Sequence, residues 1–268
     1  MRCLRTSLTS REFETLRVVL VASRNPLNIG AAARAMSNFG FSRLRVVNAY
    51  APAFREARSA VGASELLQNA EVYADLREAL ADCALVVGTT AGSRRVLQLP
   101  LRPLNEGARR IRKQLRTKPV ALLFGSERVG LSNEDMSHCH WLMHIPTDEA
   151  HVSMNLGQAV AVCLYDIASN VRKAAAKTSG ARKGSTQSEL KVADQRTTDH
   201  PASGEEVERI TALLNEALRE SGYPGPVASN ELKVRRLIRR MGLSALDAEV
   251  WQGIVRQMLW KIRVGKKT

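Results

Sequence analysis

The chain has 268 residues, of which 44% are hydrophobic, so it is long enough for one main domain and a smaller appendage. Its formal net charge of +14 favours a polyanionic partner such as a nucleic acid. Aromatic residues make up only 4% of the chain, which argues against a protein that stacks single-stranded bases on exposed rings. The sequence has no apolar run of membrane-spanning length and no signal-peptide core, so we expect a cytoplasmic protein without a membrane partner.

Cysteine usage gives no indication of a metal or disulfide site. The four cysteines are widely separated, and their spacing matches neither a zinc site nor a redox motif. His138, Cys139 and His140 are consecutive, but adjacent side chains point in different directions in a helix or a strand. We therefore expect reduced thiols and no bound metal.

The first part of the chain alternates between strand and helix patterns. After a polar leader at residues 1–15, the β-branched run Leu16–Val21 predicts a buried parallel strand. The elements predicted after it are helix 29–39, strand 44–47, helices 64–68 and 76–81, strands 84–88 and 120–124, and an apolar-faced helix over 155–168. This alternation predicts an α/β domain with a mostly parallel sheet over residues 16–171.

The second part of the chain has a different composition. Residues 172–204 are rich in Lys, Ser, Thr, Gly and Ala and contain few large apolar side chains, which predicts a flexible linker. Three amphipathic helices are predicted beyond it, and we expect them to form a small all-α domain over residues 205–268. The apolar residues at helical spacing are Val207, Ile210, Leu213, Leu214 and Leu218, then Leu232, Leu237 and Met241, then Leu246, Val250, Ile254, Met258 and Ile262.

Three segments that contain glycine or asparagine stand next to predicted strands, where open α/β sheets bind ligands. In the first, Asn28 and Gly30 are followed by Arg34. We expect Gly30 to permit a close backbone approach, and Arg34 to project from the first helical turns toward the cleft. By itself this pattern more often indicates a loop beside a solvated arginine.

The second segment runs from Gly125 to Gly130 with the spacing G-x-E-x-x-G, and its glycines would expose backbone groups to a polar ligand. It is neither a dinucleotide fingerprint nor a P-loop. The third segment is Ile145-Pro146, followed by Ser153-Met-Asn-Leu156, in which Ser153 or Asn155 is placed to cap the next helix.

Taken together and in this order, the three segments resemble the TrmH family of the SPOUT superfamily, whose members are RNA ribose 2′-O-methyltransferases. The resemblance covers residues 16–168 and includes Gly88-Thr-Thr-Ala91. It implies a parallel sheet with a deep C-terminal trefoil knot, S-adenosylmethionine as the methyl donor, no catalytic metal, and a homodimer with active sites near the subunit interface.

The tail adds a second resemblance. Residues 230–240 and the region of Ile254 are similar to the C-terminal extension of the TrmJ branch of that family. This similarity implies a tRNA substrate, methylated at the first nucleotide of the anticodon loop, position 32, on cytidine and/or uridine. A ribosomal RNA methyltransferase and a non-catalytic RNA-binding scaffold remain alternatives, the latter because the loop at residues 148–152 departs from the family pattern. Ala22 and Gly92 also depart from that pattern.

The resemblance also implies roles for individual residues. The catalytic set is Arg34, Asn28, Glu127, Ser153 and Asn155. The donor-binding set is Thr89, Thr90, Ala91, Gly125, Gly130, Ile145, Val152, Ser153 and Met154. The RNA-binding set is Arg34, Lys233, Arg235, Arg236, Arg239 and Arg240.

Alternatives stay open at three of these positions. Arg34 either accepts the proton of the ribose hydroxyl or stays charged and stabilises the alkoxide. Glu127 could instead be a scaffold that pairs with Arg128 or Arg34. The basic cluster of the tail could be a solvated helix face.

Overall fold

The computed structural model describes residues 10–59, 65–92, 97–178, 200–223 and 227–266. The strands within these residues are β1 Leu16–Val21, β2 Arg43–Val47, β3 Glu71–Tyr73, β4 Leu85–Thr89, β5 Leu101–Pro103, β6 Val120–Phe124 and β7 Trp141–His144. They form one sheet in the order β3-β2-β1-β6-β4-β7-β5, and all of the pairings are parallel. The predicted α/β fold with a parallel sheet is therefore confirmed.

The helices of the same residues are α1 Ser10–Thr15, α2 Pro26–Phe39, α3 Ala51–Ser59, α4 Glu65–Gln68, α5 Leu76–Ala79, α6 Leu104–Leu115, α7 Asn133–Ser137, α8 Leu156–Thr178, α9 Gly204–Ser221, α10 Val227–Met241 and α11 Ala245–Gly265. None of these helices is long and apolar enough to cross a membrane. Part of the predicted leader is folded as α1, where the ring of Phe13 packs edge-on against Phe41 at 5.0 Å between centroids.

Helices cover both faces of the sheet. Successive strand residues point to opposite faces, so Val18 and Leu20 lie in one apolar cluster with α2, α6 and α8. Val19 and Val21 lie in a second cluster with α5 and α7. Because both faces are buried, the central strands read as continuous apolar runs in the sequence, and this is why they could be predicted.

Helices α2 and α8 lie side by side in close contact. A Cβ atom on Gly157 would lie 2.5 Å from the Cβ of Ala31, so a side chain at position 157 would force the two helices apart. At the other end of the pair, the rings of Phe39 and Tyr165 are 6.0 Å apart. No such approach occurs at Gly30, where an added Cβ would meet no atom within 4 Å. The close approach predicted for Gly30 therefore occurs at Gly157.

The three C-terminal helices pack together and dock on the α5 and α7 side of the sheet. The Glu205 amide donates to the Ala81 carbonyl at 3.0 Å, and Arg235 Nη1 donates to Ser137 Oγ at 3.1 Å. Of the predicted linker 172–204, α8 occupies the first part up to Thr178, and residues 200–204 lead into α9. Residues 179–199 lie outside the described residues.

The segments α10 and α11 are helices as predicted, but several of the apolar residues that marked them are exposed. On α10, Leu237 is 49% exposed, whereas Val234 and Ile238 are buried. On α11, the exposed residues of the predicted spacing are Leu246, Val250, Ile254 and Met258. These helices carry apolar residues on more than one side, so helical spacing alone could not identify the side that packs.

The basic residues of α10 differ in exposure. Lys233 and Arg240 are exposed, but Arg239 is only 2% exposed, and Arg236 donates to the carbonyl of Asn133 on α7. Arg235 bonds to Glu208 as well as to Ser137, as described above. The prediction that all of these side chains form an RNA-binding surface is wrong for Arg239, because the docked α9 and α7 cover it.

The consecutive residues His138 to His140 are structural. His138 is buried and His140 is half-buried, and the backbone amide of Val86 donates to His140 Nδ1 at 3.0 Å. Burial lowers the pKa of each imidazole to about 3, so both are neutral at physiological pH.

Glu208 is the acidic side chain that faces the buried end of Arg239, with Oε2 3.9 Å from Nη2. We predict that Glu208→Ala lowers the free energy of unfolding by about 3 kcal/mol, because it leaves a buried guanidinium uncompensated. Urea unfolding measures this change. The matched control is Glu205→Ala, which removes an exposed ion pair to Arg209 on the same helix and should cost less than about 1 kcal/mol. If the two variants lose the same free energy of unfolding, Glu208 does not compensate the buried charge of Arg239.

Candidate active site

A cavity of about 500 Å³ lies at the carboxyl ends of the neighbouring strands β4, β6 and β7, where parallel sheets bind their ligands. The segments that follow these strands form its walls, together with the start of α8. Every residue predicted to contact the methyl donor lines it: Thr89, Thr90, Ala91, Gly125, Gly130, Ile145, Val152, Ser153 and Met154. Apolar side chains of Met136, Met143 and Leu156 also line it, and the sequence offered no signal to separate them from ordinary core residues.

The loop from Gly125 to Gly130 folds back on itself at the end of β6. The Gly130 amide donates to the Ser126 carbonyl at 2.8 Å, and Gly130 has a φ of 69°, which favours glycine. A Cβ on Gly125 would lie 2.1 Å from the carbonyl carbon of Gly130. The close backbone contact therefore requires glycine at position 125, and the left-handed φ favours it at position 130. The turn holds Glu127 at the mouth of the cavity.

The carboxylate of Glu127 joins this loop to the start of α2. Its oxygens accept hydrogen bonds from the backbone amides of Arg24 and Asn25, each at 3.3 Å, and from Asn28 Nδ2 at 3.2 Å. Among the described residues, Glu127 pairs with neither Arg128 nor Arg34. The sequence missed the part played by residues 24 and 25, although the Asn-Pro pair at 25–26 is typical of a helix start.

Asn28 continues the connection to α8. Its Oδ1 accepts a hydrogen bond from Asn155 Nδ2 at 2.8 Å. Asn155 Oδ1 in turn accepts from the Gly157 amide at 2.9 Å, so Asn155 caps the helix. Ser153 is exposed and lines the cavity, and of the two candidate caps it is Asn155 that bonds to the helix amides.

Arg34 lies on α2 but outside the cavity lining, so its predicted projection toward the cleft is not observed. It is exposed, and within the described residues its guanidinium makes no hydrogen bond or ion pair. It shares the exposed face of α2 with Leu27, two turns earlier, and with Ala31. The structure thus brings Asn28, Glu127 and Asn155 together as one hydrogen-bonded group and leaves Arg34 free for an external ligand.

The SpoU rRNA Methylase family matches residues 15–165, which include every strand and the whole cavity wall. The chain belongs to this family. The prediction of a SPOUT-type RNA methyltransferase of the TrmH family is confirmed by this match.

Two curated relatives extend the similarity into the C-terminal helices. The tRNA (cytidine/uridine-2′-O-)-methyltransferase TrmJ of Sodalis glossinidius is 34% identical over 90% of this chain and 89% of its own length. The tRNA (cytidine/uridine/adenosine-2′-O-)-methyltransferase TrmJ of Pseudomonas aeruginosa is 35% identical over 90% of this chain and 93% of its own. The crystal structure of TrmJ from Z. mobilis ZM4 superposes with a TM-score of 0.73 at 28% identity, over 90% of this chain and 98% of that one.

The fold of the glycine loop predicts unequal effects of two substitutions. Gly125→Ala should lower the free energy of unfolding by about 2–3 kcal/mol, because its Cβ collides with backbone. Gly130→Ala should cost only about 1 kcal/mol, since it meets open space and suffers only its left-handed φ. Thermal unfolding of both variants tests this order. If Gly125→Ala is as stable as Gly130→Ala, the loop does not fold back as described.

Proposed function

We propose that the protein transfers a methyl group from S-adenosylmethionine to a ribose 2′-hydroxyl of tRNA. The observation that carries this proposal is that all the loops predicted to bind the donor surround one cavity, in a chain similar to tRNA 2′-O-methyltransferases along 90% of its length. The similarity includes the C-terminal helices, which favours tRNA over ribosomal RNA.

The cavity fits the proposed donor in size and chemistry. Its volume of about 500 Å³ is within the range of small-molecule sites. Met143, Ile145 and Leu156 offer apolar contact for an adenine ring, and the exposed backbone of the 89–91 and 125–130 loops offers donors and acceptors for polar edges. When bound, S-adenosylmethionine supplies an electrophilic methyl group on a sulfonium.

Asn28, Glu127 and Asn155 then act as positioning residues. Together they fix the glycine loop against the beginnings of α2 and α8, and Ser153 lies on the cavity wall beside them. A ribose hydroxyl is a weak nucleophile, so its rate of attack depends on accurate placement relative to the methyl group.

Arg34 is the proposed catalytic side chain. Guanidinium groups donate hydrogen bonds and have no acceptor site, so we assign Arg34 to charge stabilisation rather than to proton removal. It would bind a phosphate next to the target ribose and stabilise the negative charge that develops on the 2′-oxygen as the hydroxyl proton leaves. That oxygen would then take the methyl group as the C–S bond of the sulfonium breaks. The hydroxyl proton would pass to water.

We further propose a homodimer through the exposed face shared by α2 and α8. Leu27 is 79% exposed and Tyr165 is 56% exposed, so this face has apolar side chains for a subunit contact. Arg34 lies on the same face, which would place it at the edge of such a contact. The trefoil knot is part of this proposal, and the packing of α8 against α2 is consistent with a threaded C-terminal segment.

We propose that the chain consists of a methyltransferase domain over 16–171, a linker over 172–204 and an RNA-binding extension over 205–268.

We propose position 32 of the anticodon loop, with cytidine and/or uridine, as the target. On the extension, Lys233 and Arg240 are exposed and suited to contact phosphates.

Loss of Arg34 should remove transfer without removing donor binding. We predict that Arg34→Ala lowers kcat for unmodified tRNA by roughly 10²–10³-fold, because the developing charge loses its stabilising partner. Labelled S-adenosylmethionine measures transfer, nucleoside mapping identifies the product, and calorimetry should show donor affinity unchanged, since Arg34 does not line the cavity.

The control is Arg55→Ala, which removes another exposed arginine of the same domain and should leave kcat within about twofold. Full activity in Arg34→Ala would overturn the role of Arg34, and a base-methylated product would overturn the proposed reaction. A wild-type protein that fails to bind the donor would favour the non-catalytic scaffold.

The exposed cations of α10 should contribute electrostatically to tRNA binding. We predict that Lys233→Ala with Arg240→Ala weakens binding and lowers the slope of log K against log salt concentration by about 2, because two phosphate contacts are lost. Filter binding across a salt series measures the slope. The charge-matched control, Arg55→Ala with Arg109→Ala, should leave the slope unchanged, and an equal decrease in both would indicate a net-charge effect alone.

A further inference from the structure

Helix α11 has apolar residues on two opposite sides. One side packs against α9 and includes Ala248, Val255 and Leu259, all of which are buried. A surface helix needs only one apolar face to fold onto its neighbours. The second face therefore has no role in the packing of the C-terminal helices.

The second face is a row with alternating spacings of four and three residues, which we call the outer row. Its members are Leu246, Val250, Gly253, Gln257, Trp260 and Val264. Val250 is 61% exposed and Leu246 and Trp260 are each 53% exposed. This spacing is that of the core positions of a two-stranded coiled coil. Four large apolar residues of the row, two towards each end of this 21-residue helix, are thus exposed, which is unusual on the surface of a monomer.

The outer row is complementary to itself when two copies run antiparallel about a twofold axis near residue 255. Leu246 then meets Val264 of the second copy, and Val250 meets Trp260. At the centre, Gly253 meets Gln257, and open space above Gly253 allows the two helices to approach closely. We propose that the outer row of α11 binds the outer row of a second copy of this chain in antiparallel orientation.

The charges beside the row support this occupant and this orientation. In the antiparallel pair, Asp247 faces Lys261 of the second copy, and Glu249 faces Arg263, which also pairs with Glu216 and Glu220 of its own chain. Arg256 meets Arg256 of the second copy near the axis, where both long side chains can extend into solvent. A parallel pair would instead bring Arg256 against Lys261 of the second copy on both flanks, which is repulsive.

This surface is separate from the contact proposed for α2 and α8, and it does not depend on the proposed reaction. It would join C-terminal helices of two chains whether or not their methyltransferase domains also associate.

Cysteine cross-linking in the full chain tests the proposal. In a chain with Cys3→Ser, the variant Ile254→Cys places a thiol beside the axis, so a short bifunctional maleimide should join two copies. The matched control is Leu246→Cys, whose two thiols would be about 27 Å apart along the pair. The native cysteines Cys83, Cys139 and Cys163 are buried, and the chain with Cys3→Ser alone measures their background.

A covalent dimer on a denaturing gel for Ile254→Cys, but not for Leu246→Cys, supports the antiparallel pair. Cross-linking of both variants would indicate a parallel or non-specific contact, and cross-linking of neither would show that the row has another occupant; each result overturns the proposal. Adding Val250→Asp to Ile254→Cys should abolish the dimer and leave the helical circular dichroism of the chain unchanged, because Val250 lies outside the packed core.

Discussion

The carboxylate of Glu127 is the group on which the geometry of the site depends. It accepts hydrogen bonds from two backbone amides at the start of α2 and from Asn28, and Asn28 is bonded in turn to the cap of α8. Hydrogen bonds to an ionised acceptor are stronger than neutral ones, so this single group can hold segments that are far apart in sequence. The cavity wall and the helix that carries Arg34 are positioned by the same contacts.

The sequence predicted the parallel sheet and its central strands, but it did not predict every strand. Central strands such as Leu16–Val21 are buried on both faces and therefore form continuous apolar runs. β5 and β7 have only three and four residues and include Arg102 and His144, so they lack a clear pattern. The site segments could be located because glycines and asparagines are informative at strand ends.

The partners of Glu127 could not be predicted from the sequence, because two of them are backbone amides, which no side-chain pattern reveals.

The C-terminal helices show a different limit of sequence analysis. Apolar residues at helical spacing identified all three helices, but on α10 and α11 the spacing also fits a face that is exposed. Arginines are equally ambiguous, because an arginine in solvent and one in a domain interface have the same pattern in sequence. Arg239 is buried only because α9 and α7 come together around it, and burial lowers the pKa of its guanidinium.

Helix α7 connects the C-terminal helices to the donor cavity. Met136 on one side of α7 lines the cavity, and Ser137 on the other side accepts a hydrogen bond from Arg235 of α10. Helix α7 also follows directly after the glycine loop, with Ser132 and Asp135 closing its first turn. An RNA bound by the exposed cations of α10 would thus be held at a fixed distance from the cavity. In the proposed reaction, the docked arginines of α10 would therefore act through position, even where they cannot touch the RNA.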